Sequence, residues 1–226
     1  MNQEKWTAVD NYVAELLIPH DPALNSALQA SAEAGLPAIQ VSAPQGKLLH
    51  LLAQICGART ILEIGTLGGY STIWLARALL ADGRLITLEA DPKHAEVARI
   101  NIARAGLDHR VELRVGKALE LLPQLAAERR GPFDLIFIDA DKASTPEYFM
   151  WSLQLGRIGS LIIVDNVVRS GALVESANMD PGVRGMRRFH ELLSETRAVS
   201  ATTIQMVGSK GYDGFTLARI ISADLK

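Results

Sequence analysis

Apolar residues recur along this chain with two different periods, and the change from one to the other marks out the fold. From about residue 5 to 35 they return at helical spacing, as two amphipathic helices divided by the breaker Pro19-His20-Asp21-Pro22 and closed by Gly35-Leu36-Pro37. From Ser42 a third helix carries Leu48, Leu49, Leu51, Leu52 and Ile55 toward Gly57. Short apolar runs then begin to alternate with helical stretches. Thr60–Ile64 is strand-like, Tyr70–Leu80 helical, Arg84–Leu88 strand-like and Pro92–Ala105 helical, with Gly106 as its stop. Val111–Val115 is again strand-like, followed by a helix from about Lys117 to Glu128.

The next two strands are apolar throughout, which predicts burial on both faces. Phe133-Asp134-Leu135-Ile136-Phe137-Ile138 runs into Asp139-Ala140-Asp141-Lys142, and Ser160-Leu161-Ile162-Ile163-Val164 runs into Asp165-Asn166, with a helix around Glu147–Leu155 between them. Strands alternating with helices mean βαβ units and a parallel sheet. After a last helix near Val183–Thr196 the pattern changes. Ala201–Val207 and Phe215–Ile221 are separated only by Gly208–Gly214, too short a link for a helical crossover, so they should pair antiparallel. The expected fold is α/β: a Rossmann-like parallel sheet closed by a C-terminal antiparallel hairpin. It forms one domain over residues 1–226, with residues 1–40 as a helical cap on a cofactor-binding and catalytic sheet over 41–226.

Composition narrows the function. A chain of 226 residues, 48% hydrophobic, can bury a full core. Its 23 basic and 25 acidic residues leave a net charge of −2 and a pI near 6.2, without the basic footprint of a nucleic-acid binder. One cysteine, Cys56, excludes an intrachain disulfide, and its apolar neighbours suggest a core thiol. The five histidines share no zinc-ligand spacing. The N-terminus does not read as a signal peptide, and no apolar run approaches the roughly 20 residues of a membrane span. A cytoplasmic protein without nucleic-acid or membrane partners is expected.

Candidate chemistry lies where the strands end. Parallel strands finish at one edge, and ligands bind in the crevice outside their carboxyl ends. Asp139, Asp165 and Asn166 should arrive there together, three hard oxygen donors suited to Mg²⁺, with Mn²⁺ or Ca²⁺ accepting the same set. Lys142, three residues beyond Asp139, is the candidate general base.

The first strand ends in Glu63-Ile64-Gly65-Thr66-Leu67-Gly68-Gly69-Tyr70-Ser71. A dinucleotide fingerprint would need glycines at 65, 67 and 70, and Leu67 and Tyr70 break it. Glu63 would repel a pyrophosphate, and Glu89, ending the second strand, is placed to bind ribose hydroxyls. A cationic nucleoside satisfies both acids, and S-adenosylmethionine is such a molecule. Two other readings remain open at this point: an NAD-dependent dehydrogenase, supported by the glycine turn and Glu89, and a non-catalytic nucleoside-binding module.

The glycine segment, Glu89-Ala90-Asp91-Pro92, Asp139-Ala140-Asp141-Lys142 and Asp165-Asn166 together resemble the metal-dependent class I O-methyltransferases, the catechol and caffeoyl-CoA O-methyltransferase group. The resemblance runs from about Val41 to the C-terminus. It implies a seven-stranded methyltransferase fold, S-adenosylmethionine as cofactor, a small phenolic substrate with vicinal hydroxyls, and a homodimer. By the same likeness Glu63, Gly65, Thr66 and Ser71 surround the methionine end of the cofactor and Glu89 binds its ribose. Ala118 lines the adenine pocket, Val41 closes over the cofactor, and Asp139 is shared between cofactor and metal. Asp139, Asp165 and Asn166 match the metal ligands and Lys142 the base, with Asp141 facing the cofactor. The chain departs from the plant caffeoyl-CoA enzymes, which usually follow Asp-Asn with Trp and Asn, by continuing into Val168-Arg169-Ser170. It departs from the mammalian catechol enzyme by carrying Asp141 where an aromatic gate adjoins the lysine. These departures argue against a CoA thioester and against a catecholamine.

Overall fold

A computed structural model describes residues 2–224. Three helices come first: α1 (Gln3–Leu17), α2 (Pro22–Glu33) and α3 (Ala43–Ile55). Asp21 starts α2 by accepting from the amides of Ala23 and Leu24, and its carboxylate also pairs with Arg77. Ser42 starts α3 with a capping box. Its hydroxyl accepts from Gln45 N, and its own amide donates to the Gln45 side chain at 2.8 Å.

The alternating part follows as β1 (Thr60–Ile64), α4 (Tyr70–Ala78), β2 (Arg84–Glu89), α5 (Pro92–Arg104), β3 (Val111–Val115), α6 (Ala118–Ala127), β4 (Leu135–Ile138), α7 (Thr145–Leu155) and β5 (Leu161–Asp165). A 3₁₀ segment, Arg169–Val174, and α8 (Pro181–Glu195) lead to β6 (Val199–Gly208) and β7 (Gly211–Ile220). The seven strands form one sheet in the order β3-β2-β1-β4-β5-β7-β6. The first five are parallel, and β7 runs antiparallel between β5 and β6. The expected seven-stranded α/β fold with a C-terminal hairpin is the one observed.

Alternation along the strands divides the core between the two faces. Ile61, Leu135, Phe137 and Ile163 pack with Trp74 and Leu49 on one side; Leu62, Ile64, Ile136, Ile138 and Val164 pack with Phe149 and Phe189 on the other. The strand order reverses direction between β1 and β4, so a crevice opens at their carboxyl ends. The glycine turn after β1 and the acidic turn after β4 flank it.

Three expectations need correction. The hairpin strands are longer than the sequence pattern suggested, because Gly208 pairs with Gly211 and only Ser209 and Lys210 form the turn. The glycines that suggested a long loop have another cause. At Gly214 a side chain would meet the carbonyl of Ile204 at 2.4 Å and Val168 at 2.6 Å, so this strand position needs glycine for close approach. Asp213 therefore lies within a strand and not in a turn. Cys56 is exposed as the C-terminal cap of α3, outside the core, because the packing on that helix stops at Ala53 and Ile55 beside it is exposed as well. The 3₁₀ segment after β5 had no apolar period by which to be recognised. No helix of the described residues is long and apolar enough to cross a membrane.

Candidate active site

The turn after β1 passes so close to β4 that only glycine fits. Gly65 has φ +101°, and a Cβ there would lie 2.1 Å from the carbonyl oxygen of Asp139. Gly69, at φ +82°, starts α4. Between them, the loop amides are already engaged. Glu89 turns back from the end of β2 and accepts from Thr66 N at 3.2 Å and Leu67 N at 2.8 Å, while its other oxygen accepts from Asp91 N at 2.9 Å. In dinucleotide-binding folds, amides of this turn meet the pyrophosphate. Here a resident carboxylate meets them, so an incoming phosphate would face negative charge.

Glu63 lies deeper. It has no solvent exposure, and its carboxylate accepts from Ser71 Oγ at 2.6 Å, Thr72 Oγ1 at 2.5 Å and Thr87 Oγ1 at 2.7 Å. Because Thr87 spends its proton on Glu63, Thr66 must be the donor in the 2.5 Å contact between the two threonine hydroxyls. Burial pushes the Glu63 carboxyl up to about 7, with a smaller push from the charge of Asp139, against the pull of its three hydroxyl donors. Glu63 does not reach the cavity wall; Ser71, which donates to it, does. Any contribution of Glu63 to a ligand passes through Ser71.

A cavity of about 690 Å³ fills the crevice. Val41, Gly65, Thr66, Ser71, Glu89, Ala118, Asp139, Lys142 and Asn166 all stand on its wall. His94 and Lys117 also line it, residues that periodicity could not single out; His94 comes within 3.6 Å of Glu89 from the first turn of α5. A second cavity, about 410 Å³, opens beside the first between α3, the 3₁₀ segment and the β6–β7 hairpin. Asp165 lines this second cavity and not the first. The two share a wall made of Ile39, Gln40, Val41, Asn166 and Arg169.

The acidic cluster sits where the cavities meet. Ile138 is level with Val164 in the β4–β5 ladder, which brings Asp139 and Asp165 to adjacent strand tips. Lys142 donates from Nζ to Asp139 Oδ1 at 2.8 Å. Asn166 adopts φ +55°, and its amide donates to Asp165 Oδ1 at 2.7 Å. Burial pushes the Asp165 carboxyl well above the usual carboxylate range, and the charge of Asp139 pushes it further. Two carboxylates that repel one another beside an amide oxygen are a donor set that a hard dication would satisfy. Among the described residues no three His, Cys, Asp or Glu side chains gather to hold a metal, so a site here depends on Asn166 for its third oxygen.

Two other acids have structural partners. Asp141 accepts from Tyr148 Oη at 2.5 Å and from Ser144 N at 3.0 Å; burial raises its carboxyl, but these bonds outweigh it and the net shift is downward. It reaches the wall of the first cavity while tying the acidic turn to α7. Asp213 uses one oxygen to accept from the amides of Val168, Arg169 and Gly214, at 2.9, 3.0 and 2.9 Å. It thereby pins the segment after β5 to the hairpin.

The O-methyltransferase family profile matches residues 16–221. A catechol O-methyltransferase of Niastella koreensis is 56% identical over 96% of this chain and 99% of that protein. One of Mycobacterium tuberculosis is 52% identical over 94% of each. The crystal structure of an O-methyltransferase from Bacillus cereus in complex with SAH, 58% identical, aligns with a TM-score of 0.96 over 96% of this chain and 99% of that one. The chain belongs to the O-methyltransferase family and carries its seven-stranded class I fold.

Proposed function

We propose that this protein transfers a methyl group from S-adenosylmethionine to one hydroxyl of a vicinal dihydroxyphenol, assisted by a divalent cation. The observation that carries the reading is the meeting of two cavities at Asn166, with Asp139 and Lys142 on the wall of one and Asp165 on the wall of the other, the first large enough for a nucleoside and the second open to a small acceptor. Two relatives named catechol O-methyltransferase and a solved relative holding SAH support it.

In this reading the larger cavity takes the cofactor. Gly65, Thr66 and Ser71 surround its methionine end, with Glu63 orienting Ser71 from behind. Glu89 receives the ribose hydroxyls, Ala118 packs against the adenine, and Val41 closes the cavity on the acceptor side. Asp139, Asp165 and Asn166 hold the cation, with Mg²⁺ the first choice and Mn²⁺ or Ca²⁺ accepting the same ligands. When bound, it supplies positive charge that draws in two adjacent hydroxyls and favours their ionisation. Lys142, once its own proton has passed to solvent and it stands as the neutral amine, accepts the proton of the reacting hydroxyl at Nζ. The phenolic oxygen then forms a bond to the methyl carbon, the carbon–sulfur bond breaks, and its electron pair stays on sulfur. Holding oxygen, carbon and sulfur in line is the main catalytic task of the cavity walls.

The same protein is proposed to be a homodimer. None of the residues of α1 is buried, and Val9, Tyr12, Leu16 and Leu17 are exposed on it. This helix lies against α3 and β6, which expose Leu51, Ile55, Ile204 and Val207. A second copy is the occupant that covers such a surface symmetrically.

The experiment is a panel of phenols offered with S-adenosylmethionine and Mg²⁺ and read by mass spectrometry. Vicinal dihydroxyaromatics should gain one methyl and monohydroxy analogues should not. Equal methylation of both classes, or of neither, overturns the assignment.

A further inference from the structure

We infer that Arg169 recognises a carboxylate carried by the acceptor, so that the preferred substrate is an anionic dihydroxyaromatic. The inference rests on the methyltransfer reading above and adds the substrate class.

Arg169 follows the tip of β5 by four residues and stands on the wall shared by the two cavities. Its Nε is buried and has no hydrogen-bond partner, and among the described residues its guanidinium forms no ion pair. Other partly buried arginines are committed. Arg77 pairs with Asp21, Arg114 with Glu112 and Glu128, and Arg187 with the carbonyls of the segment after β5. Leaving a buried donor unmatched is costly, and an anion drawn to this half-buried guanidinium would offset that cost.

The backbone is arranged to keep the side chain there. Arg169 has φ +55°, a left-handed conformation that a long side chain rarely adopts, and Asp213 stabilises it by accepting from its amide. Of the other charges lining the second cavity, Asp165 belongs to the acidic cluster and the rest are hydrogen-bonded within the chain. Lys210 donates to the Ala38 carbonyl at 2.9 Å, Asp10 accepts from Ser209 N at 2.7 Å, and Asp213 is occupied by backbone amides. Arg169 is the uncommitted cation. Its planar fork suits a carboxylate, which can accept two parallel hydrogen bonds from it.

A carboxylate could come from the acceptor or from the methionine end of the cofactor. The neighbours of Arg169 favour the acceptor. Ser170 and Asp213 line the second cavity alone, whereas the methionine end is assigned to the turn from Gly65 to Ser71, across the first.

The test uses 3,4-dihydroxybenzoate and its methyl ester, two probes that differ in charge but not in the reacting hydroxyls. Wild-type protein should prefer the acid in kcat/KM. Arg169→Met should lower kcat/KM for the acid by about 10- to 100-fold, the worth of a charge-assisted pair, leave the ester unchanged, and leave the KM for S-adenosylmethionine unchanged. Arg169→Lys should retain part of the preference. Calorimetric binding of each probe to protein loaded with S-adenosylhomocysteine and Mg²⁺ should show the same loss for the acid alone, independently of turnover. Equal losses for acid and ester would make Arg169 structural and overturn the inference. A raised KM for S-adenosylmethionine with acceptor kinetics intact would assign the arginine to the cofactor and also overturn it. Methylation of neither probe, with no binding difference, removes the methyltransfer reading and this inference with it.

Discussion

Lys142 and Asp139 are joined by a 2.8 Å ion pair across one turn of the segment after β4, and both face the cavity assigned to the cofactor. The pair holds an ammonium on the wall of that cavity, and it must give up its proton before it can act as a base. If Lys142 is the base, Lys142→Ala lowers kcat by roughly 10²- to 10⁴-fold, the usual worth of general acid–base catalysis. Cofactor binding, measured by calorimetry, changes little. Lys142→Arg fails to rescue the rate, because a guanidinium stays protonated. Wild-type turnover in Lys142→Arg at neutral pH would show that the lysine supplies only charge.

Asp139 and Asp165 sit at neighbouring strand tips but line different cavities. Substitution of either by alanine should abolish methylation, as should exhaustive chelation, with Mg²⁺ restoring the chelated wild type. Binding separates the two variants. Asp165→Ala keeps its affinity for S-adenosylhomocysteine, whereas Asp139→Ala weakens it, because only Asp139 reaches the cofactor cavity. Full activity after EDTA treatment and dialysis removes the cation from the mechanism.

Much of this was legible in the sequence, for a physical reason. Short apolar runs broken by glycine or carboxylates report buried strands and their ends directly, so the five parallel strands and the residues at their tips could be read from the chain. The crevice position followed from topology alone. Contacts between segments distant in sequence could not be read. Nothing near Glu89 shows that it occupies the amides of Thr66 and Leu67, and nothing near Asp213 shows that it holds Val168 and Arg169. Gly214 misled for the same reason, since the carbonyl that requires it belongs to the facing strand. Arg169 had only its position after Asp165-Asn166 to distinguish it from other surface arginines.

The homodimer can be tested where the apolar surface is densest. Tyr12 and Leu16 are 66% and 65% exposed and lie one helical turn apart on α1. Light scattering of the wild type at micromolar concentration should give twice the 24.5 kDa chain mass. The double substitution Tyr12→Glu, Leu16→Glu should give the monomer, with far-ultraviolet circular dichroism unchanged. A monomeric wild type sinks the proposal.

Glu63 makes a prediction about stability that needs no substrate. Its carboxyl is raised from 4.5 to about 7, first by burial. Below 4.5 both folded and unfolded chains hold the proton, and above about 7 both release it. Between those limits the folded chain holds a proton that the unfolded chain has lost, so this group's contribution to stability falls as pH rises. The slope approaches about 1.4 kcal/mol per pH unit at its steepest. Asp21 and Asp134 are shifted the other way, so their contributions are lost only as pH falls below the usual carboxylate value of 3.8, outside this window. Asp165 is also shifted upward, so the wild-type curve alone is not diagnostic. Urea unfolding of wild type and Glu63→Gln, in chelator from pH 4.5 to 7.5, isolates the group by difference. Glu63→Gln should lose ground to wild type at pH 4.5 or lie close to it, then gain on it steadily toward pH 7. Parallel curves across the window would mean that Glu63 is ionised throughout, and that the hydroxyls of Ser71, Thr72 and Thr87 are enough to hold its charge in the core.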